Sequence, residues 1–221
     1  MRYTVCGLLV ALIMLLVPPF VWASASQTQT PAEPEKVLVE EDILYVFVDE
    51  PGHHFHQARE NFLKKDMKGA AAEIRKAVGF MKLEAARATG DGKKALTTSI
   101  DELKKLASDV EKRTVKSSND LGKAFARAHH ALAVHHHLKA SESWAKKETS
   151  KTGHALKAAA SHLERALAWS GHEIEAAVVK VMEMGRGVGE KLIQGSRWTA
   201  DEVGKALKDL GEKLKDWLKT K

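Results

Sequence analysis

Apolar residues recur along most of this chain at the three-and-four spacing of a helical face. Ile74, Val78, Met81, Ala85 and Ala88 form one such stripe, and Leu96, Ile100, Leu103, Ala107 and Val110 form the next. A third runs through Leu121, Phe125, Ala128, Leu132, His135 and Leu138, and a fourth through Leu156, Ala160, Leu163, Leu167, Ile174, Ala177 and Val181. The pattern predicts a short helix over 53–65, a turn at Asp66, a helix closed by Gly90-Asp91-Gly92, another ending near 114–119, a long one over 120–147, and a fifth from about Thr152. Short connections between amphipathic helices favour antiparallel neighbours, so the expected fold is all-α, an antiparallel up-and-down helical bundle.

The stripes are interrupted twice. Gly185, Gly187, Gly189 and Gly195 suggest a glycine-rich hinge. Beyond it, Thr199 and Glu202 form a capping-box start for a last amphipathic helix on Val203, Leu207, Leu210, Leu214 and Trp217 or Leu218, with lysines around it. Such a helix either lies in a membrane interface or packs back on its own bundle. At the other end, Ile43 to Val48 is apolar and β-branched and reads as an extended arm lying on the bundle.

The bundle reads as a duplicated helical hairpin. His53-His54 to Asp66 recurs 82 positions later as His135-His136 to Glu148, with six of fourteen positions identical and no gap. The echo resumes at Gly69–Val78 and Ala158–Leu167 after seven extra residues, about two helical turns, which lengthens the hairpin without rotating its apolar face. The small-large-small spacing of Ala58, Phe62, Ala71, Ile74 and Ala77, and of Ala140, Trp144, Ala159, Leu163 and Ala166, resembles tetratricopeptide hairpins over about a third of the chain. The copies stand 82 and 89 residues apart rather than roughly 34, so the resemblance stops at the hairpin.

Composition adds a location. Arg2, an apolar run from Val5 to Val21 and Ala23-Ser24-Ala25 have the form of a secretory signal peptide over 1–25, which predicts an exported, periplasmic protein. Cys6 is the one cysteine and falls inside that segment, so the mature chain has no disulfide or thiolate chemistry. The organisation expected is signal peptide 1–25, acidic linker and arm 26–52, helical bundle 53–184, and hinge with basic helix 185–221. From Pro51 onward 33 Lys and Arg face 22 Asp and Glu, so the folded part carries about +11. Such a surface favours anionic partners: a membrane surface or an envelope protein through 199–221, or the acidic leader itself. Nucleic acid is not expected.

Eleven histidines are the chemistry on offer. They cluster at His53, His54 and His56 and at His129, His130, His135, His136 and His137, with His154, His162 and His172 single. His53 and His56 have chelating spacing on one helix turn, whereas His129/His136 and His130/His137 are separated by about 10 Å of rise. If the turn after the long helix centres near Ser150, His129 and His130 lie opposite His172, and His136 and His137 nearly opposite His162, giving two imidazole layers. Such layers suit Cu, Ni or Zn, and haem iron takes two imidazoles as well. The candidate metal ligands are therefore His53, His54, His56, His129, His130, His135, His136, His137, His162 and His172. His135 lies on an apolar stripe, so a neutral core histidine is its structural alternative. No zinc-protease, di-iron, covalent-haem, phosphate-loop or serine-elbow motif is present, and the expectation is a non-catalytic protein. Its function is expected to be a structural or adaptor role in the cell envelope or, alternatively, transition-metal buffering or haem binding.

Overall fold

A computed structural model describes residues 50–171 and 173–217. The signal peptide, nearly all of the acidic linker and arm, His172 and Leu218 fall outside them. Seven helices and no strands make up the described part: α1 (Glu50–Leu63), α2 (Met67–Arg87), α3 (Gly90–Glu111), α4 (Ser118–Ala145), α5 (Thr149–Ser170), α6 (Ala176–Gln194) and α7 (Ala200–Trp217). The fold is all-α, as the periodicity predicts, and each helix packs on the next in sequence. None of these helices is long and apolar enough to cross a membrane.

α4 is the centre. Fifteen of its 28 residues are buried, too many for one face, and it touches α1, α3, α5 and α7. Its many alanines let those neighbours approach from several sides. Leu121, Phe125, Ala128 and Leu132 belong to an apolar cluster with α1, α2 and α3. Ala133 and Ala140 belong to a second cluster with α5, α6 and α7. The buried histidines of α4 sit where one cluster gives way to the other.

The helix ends follow local chemistry. Asp66 caps α2 through Gly69 N–H at 2.9 Å, and Ser117 caps α4 through Asn119 N–H at 3.0 Å. Thr199 and Glu202 satisfy each other's backbone N–H groups at the start of α7, at 2.9 and 3.2 Å. Lys65, Arg113 and Lys147 each take positive φ after α1, α3 and α4, with the paired backbone bonds of a Schellman turn.

Three expectations are corrected. Gly90-Asp91-Gly92 is the first turn of α3 rather than a loop; α2 already ends at Arg87. Gly92 is buried, and a β-carbon there would lie 3.3 Å from the Cα of His135, so this glycine lets α3 approach α4. The fifth predicted helix breaks at Gly171, in the left-handed conformation at φ 72°, which puts Ile174 between helices and Ala177 and Val181 in α6. Finally, Gly185, Gly187 and Gly189 form no hinge: all three lie inside α6. A β-carbon on Gly153 would stand 2.5 Å from the carbonyl oxygen of Gly189, and one on Gly189 would stand 2.7 Å from that of Gly153. The two glycines are a backbone-to-backbone crossing of α5 and α6.

α7 uses its apolar face within the protein. Val203, Ala206, Leu210, Leu214 and Trp217 are buried, and Leu207 is partly so. The face expected to enter lipid is therefore covered by the bundle. Leu210→Ala is expected to cost about 2–5 kcal/mol, the range for a fully buried leucine. A urea titration checks this: the midpoint should fall with little change in slope, whereas an unchanged midpoint would mean that α7 is not part of the cooperative unit.

Candidate metal centre

The ten candidate histidines part company in the structure. On α1, His53 and His56 are exposed, and the His54 Nδ1 lies 2.7 Å from Glu73 of α2. The His56 ring leans on Trp169 at 4.8 Å. His53 and His54 are not brought together with the histidines of α4, and His56 acts on His129 only through its charge.

His130 and His137 anchor α7. His130 Nε2 donates to the Leu214 carbonyl at 2.9 Å, and its ring stacks on Trp217 with centroids 4.2 Å apart. His137 Nε2 donates to the Leu207 carbonyl at 2.8 Å by passing over Gly211, where a β-carbon would meet the ring at 2.9 Å. Burial, first, and the nearby Lys215 hold the His137 pKa below its ordinary value, against the pull of the Leu207 carbonyl. Each imidazole donates from Nε2 and commits that nitrogen to the tail.

Of the remaining five, His129, His135, His136 and His162 form one buried group. His129 and His162 face each other Nδ1 to Nδ1 at 3.1 Å, so one donates and the other accepts. His162 stacks on His136 at 5.4 Å with planes 8° apart, and His136 neighbours His135 at 5.0 Å. His135 Nε2 lies 3.2 Å from a carboxylate oxygen of Glu84, off the line of a ring N–H bond. Glu84, His135 and His136 each offer one ligand atom, all within 4.8 Å of one another.

A register difference explains why one layer forms instead of two. The turn between α4 and α5 centres near Lys147, about three residues before Ser150. That slides α5 so that His162 falls between His129 and His136 and touches both. His172, expected opposite His129, lies outside the described residues.

The group is electrostatically unusual. Burial drives the His129 and His136 pKa values down from 6.5 to about 3, with Arg165 and His56 adding to the first and His135 and Lys139 to the second; Glu84 only partly opposes. His162 is held well below 6.5 by burial and by His129, His136, Arg165 and His135. These imidazoles are neutral near pH 7. Burial alone would raise the Glu84 carboxyl, but His135, His136 and Lys139 hold it below the usual range. Both nitrogens of His136 and the Nε2 atoms of His129 and His162 lack a hydrogen-bond partner among the described residues. A buried polar group left so costs about 1–3 kcal/mol.

Glu84 is the residue that sequence reasoning missed. Its signal was present, since Glu84 lies three residues after Met81 and four before Ala88, on the stripe of α2 that faces the core. No protein-family model matches the chain, and no curated protein or solved structure matches it.

Proposed function

We propose that this protein binds a transition-metal ion at Glu84, His135 and His136, with His162 and His129 packed behind that site. One observation carries the reading: an ionised carboxylate and neutral imidazoles with unpartnered nitrogens converge in the core. Neutral imidazole and carboxylate are the forms that ligate, and two nitrogens with one oxygen suit Zn, Cu or Ni. Bonds of about 2.0–2.2 Å put tetrahedral ligand atoms roughly 3.4 Å apart, so loading would draw the three side chains together and leave one position open. The leader pattern and the cysteine-free mature sequence fit a metal-holding role outside the cytosol.

The two His-His hairpins fit copies of one ancestral unit. Lys64-Lys65-Asp66 and Lys146-Lys147-Glu148 make the same left-handed turn with equivalent backbone bonds at matched positions. The same turn also closes α3, so the support lies in the match of position rather than in the turn itself. On this reading only the second copy's His-His pair became the site. The envelope-adaptor role keeps the basic surface as its support, but most of the apolar face of α7 is buried against the bundle.

Calorimetry on metal-free protein at neutral pH is expected to show one Zn, Cu or Ni ion per chain at micromolar or tighter affinity. Glu84→Gln and His136→Ala should each weaken binding by about tenfold or more, as loss of a ligand does, while His54→Ala and His130→Ala should not. Absence of binding to the intact protein, or loss of affinity only with His54→Ala, would remove the assignment.

A further inference from the structure

On the far side of α4 from α5, a groove of about 700 Å³ lies between α3, α4 and α7. Its wall is aliphatic and aromatic: Ala95, Ala131, Val134, Leu138, Leu214 and Trp217. That volume lies within the range of small-molecule sites, which are mostly apolar with a few placed polar groups. Here the polar groups are specific. Ser99 lines the groove, is 4% exposed, and its hydroxyl has no hydrogen-bond partner among the described residues.

The charges around the groove are unequal. Arg127 and Glu102 neutralise each other at 2.7 Å. Lys94 of α3 and Lys215 of α7 remain, exposed and without an ion pair among the described residues, against the single Asp91. His137 adds little positive charge at the wall, because burial holds its pKa below the ordinary value, and His130 is tied through Nε2 to the Leu214 carbonyl. An apolar trough with two uncommitted ammonium groups and one buried hydroxyl complements a molecule with a long apolar body and a single anionic head.

We propose that this groove binds a single-chain anionic amphiphile of the fatty-acid class. The hydrocarbon lies along the wall of α4 and α7, and the carboxylate meets Lys94 and Lys215. Neither lysine belongs to the metal site, and the proposal stands or falls independently of metal binding.

The test uses full-length processed protein and laurate below its micelle concentration, followed by calorimetry and by Trp217 emission against a Trp217→Phe control. Laurate is expected to bind with micromolar affinity. The Lys94→Glu/Lys215→Glu double variant should weaken laurate by about tenfold or more while leaving dodecanol unchanged, because only the head-group contact is reversed. Ala95→Trp, a substitution at a half-buried position of the wall, should block both ligands with the melting temperature retained. Absence of laurate binding would overturn the proposal and leave the groove to another occupant such as the chain's own apolar segment 43–48. Equal binding to the Ala95→Trp variant would also overturn it, since the molecule would then be adsorbing elsewhere.

Discussion

Taking the metal-free protein from about pH 7 to about pH 5 is expected to remove roughly 4 kcal/mol of stability through His129 and His136, with His162 adding in the same direction, a large fraction of the stability of a marginal domain. Three buried histidines carry the effect. His129 and His136 titrate at about 3 in the fold against 6.5 in the free chain, and His162 is displaced in the same direction. Between these values the unfolded chain holds more protons than the folded one, so stability is complete above about pH 6.5 and falls as the pH drops through the window. At about pH 5 His129 and His136 each forgo ~2 kcal/mol relative to the unfolded chain. The ion-paired carboxylates Glu73, Glu111, Glu190 and Glu202 are held below 4.5 and add their losses only at lower pH, which separates the two contributions. Urea midpoints at several pH values measure this directly. Equal midpoints at about pH 7 and 5 would contradict it, and His162→Leu should make the curve shallower. Bound metal should shift the loss to lower pH, because protons must then compete with the ion for the same nitrogens.

Gly189→Ala is expected to destabilise by about 3 kcal/mol, while Gly187→Ala, two residues away in the same helix, is expected to stabilise by about 0.5–1 kcal/mol. The chemistry of the change is identical; the surroundings decide its sign. At Gly189 the new methyl would stand 2.7 Å from the carbonyl of Gly153 and from Lys157 Cγ, and a backbone oxygen cannot rotate aside. At Gly187 nothing lies within 4 Å, so alanine only reduces the freedom of the unfolded chain. Thermal melts of the two variants side by side provide the measurement. A loss at both positions would mean that α6 needs its glycines for bending rather than for contact.

These glycines show where sequence reasoning stops. Periodicity identified the core of α2, α3 and α4 because the signal for Ile74, Leu103 or Phe125 lies within a few residues of each, and all three are fully buried. The capping box at Thr199 is equally local. Gly189, by contrast, has its meaning in Gly153, 36 positions away, and nothing near either residue distinguishes a close helix crossing from a hinge. The buried histidine group was legible in the same uneven way. The repeated His-His pair marked His135 and His136, but whether His162 reached them depended on the register of α5, which the left-handed Lys147 fixes. Lysine is not a residue whose sequence announces positive φ. His130 and His137 have the same composition signal as their neighbours, and only the arrival of α7 on that side of α4 gives them a different task.

That arrival has a consequence for how α7 finds its seat. An amphipathic stripe is nearly self-similar under a shift of one turn, so Val203, Leu210 and Leu214 alone would allow the helix to dock displaced along its own axis with much of the same apolar contact. The ring of His137 removes that ambiguity. It needs a residue without a side chain beneath it and a carbonyl one turn earlier, and Gly211 with Leu207 supply both. Displaced by one turn in either direction, the same ring would face Leu207 or Lys215 in place of the glycine. A single histidine therefore works as an index pin, selecting one alignment among several that greasy contact would tolerate.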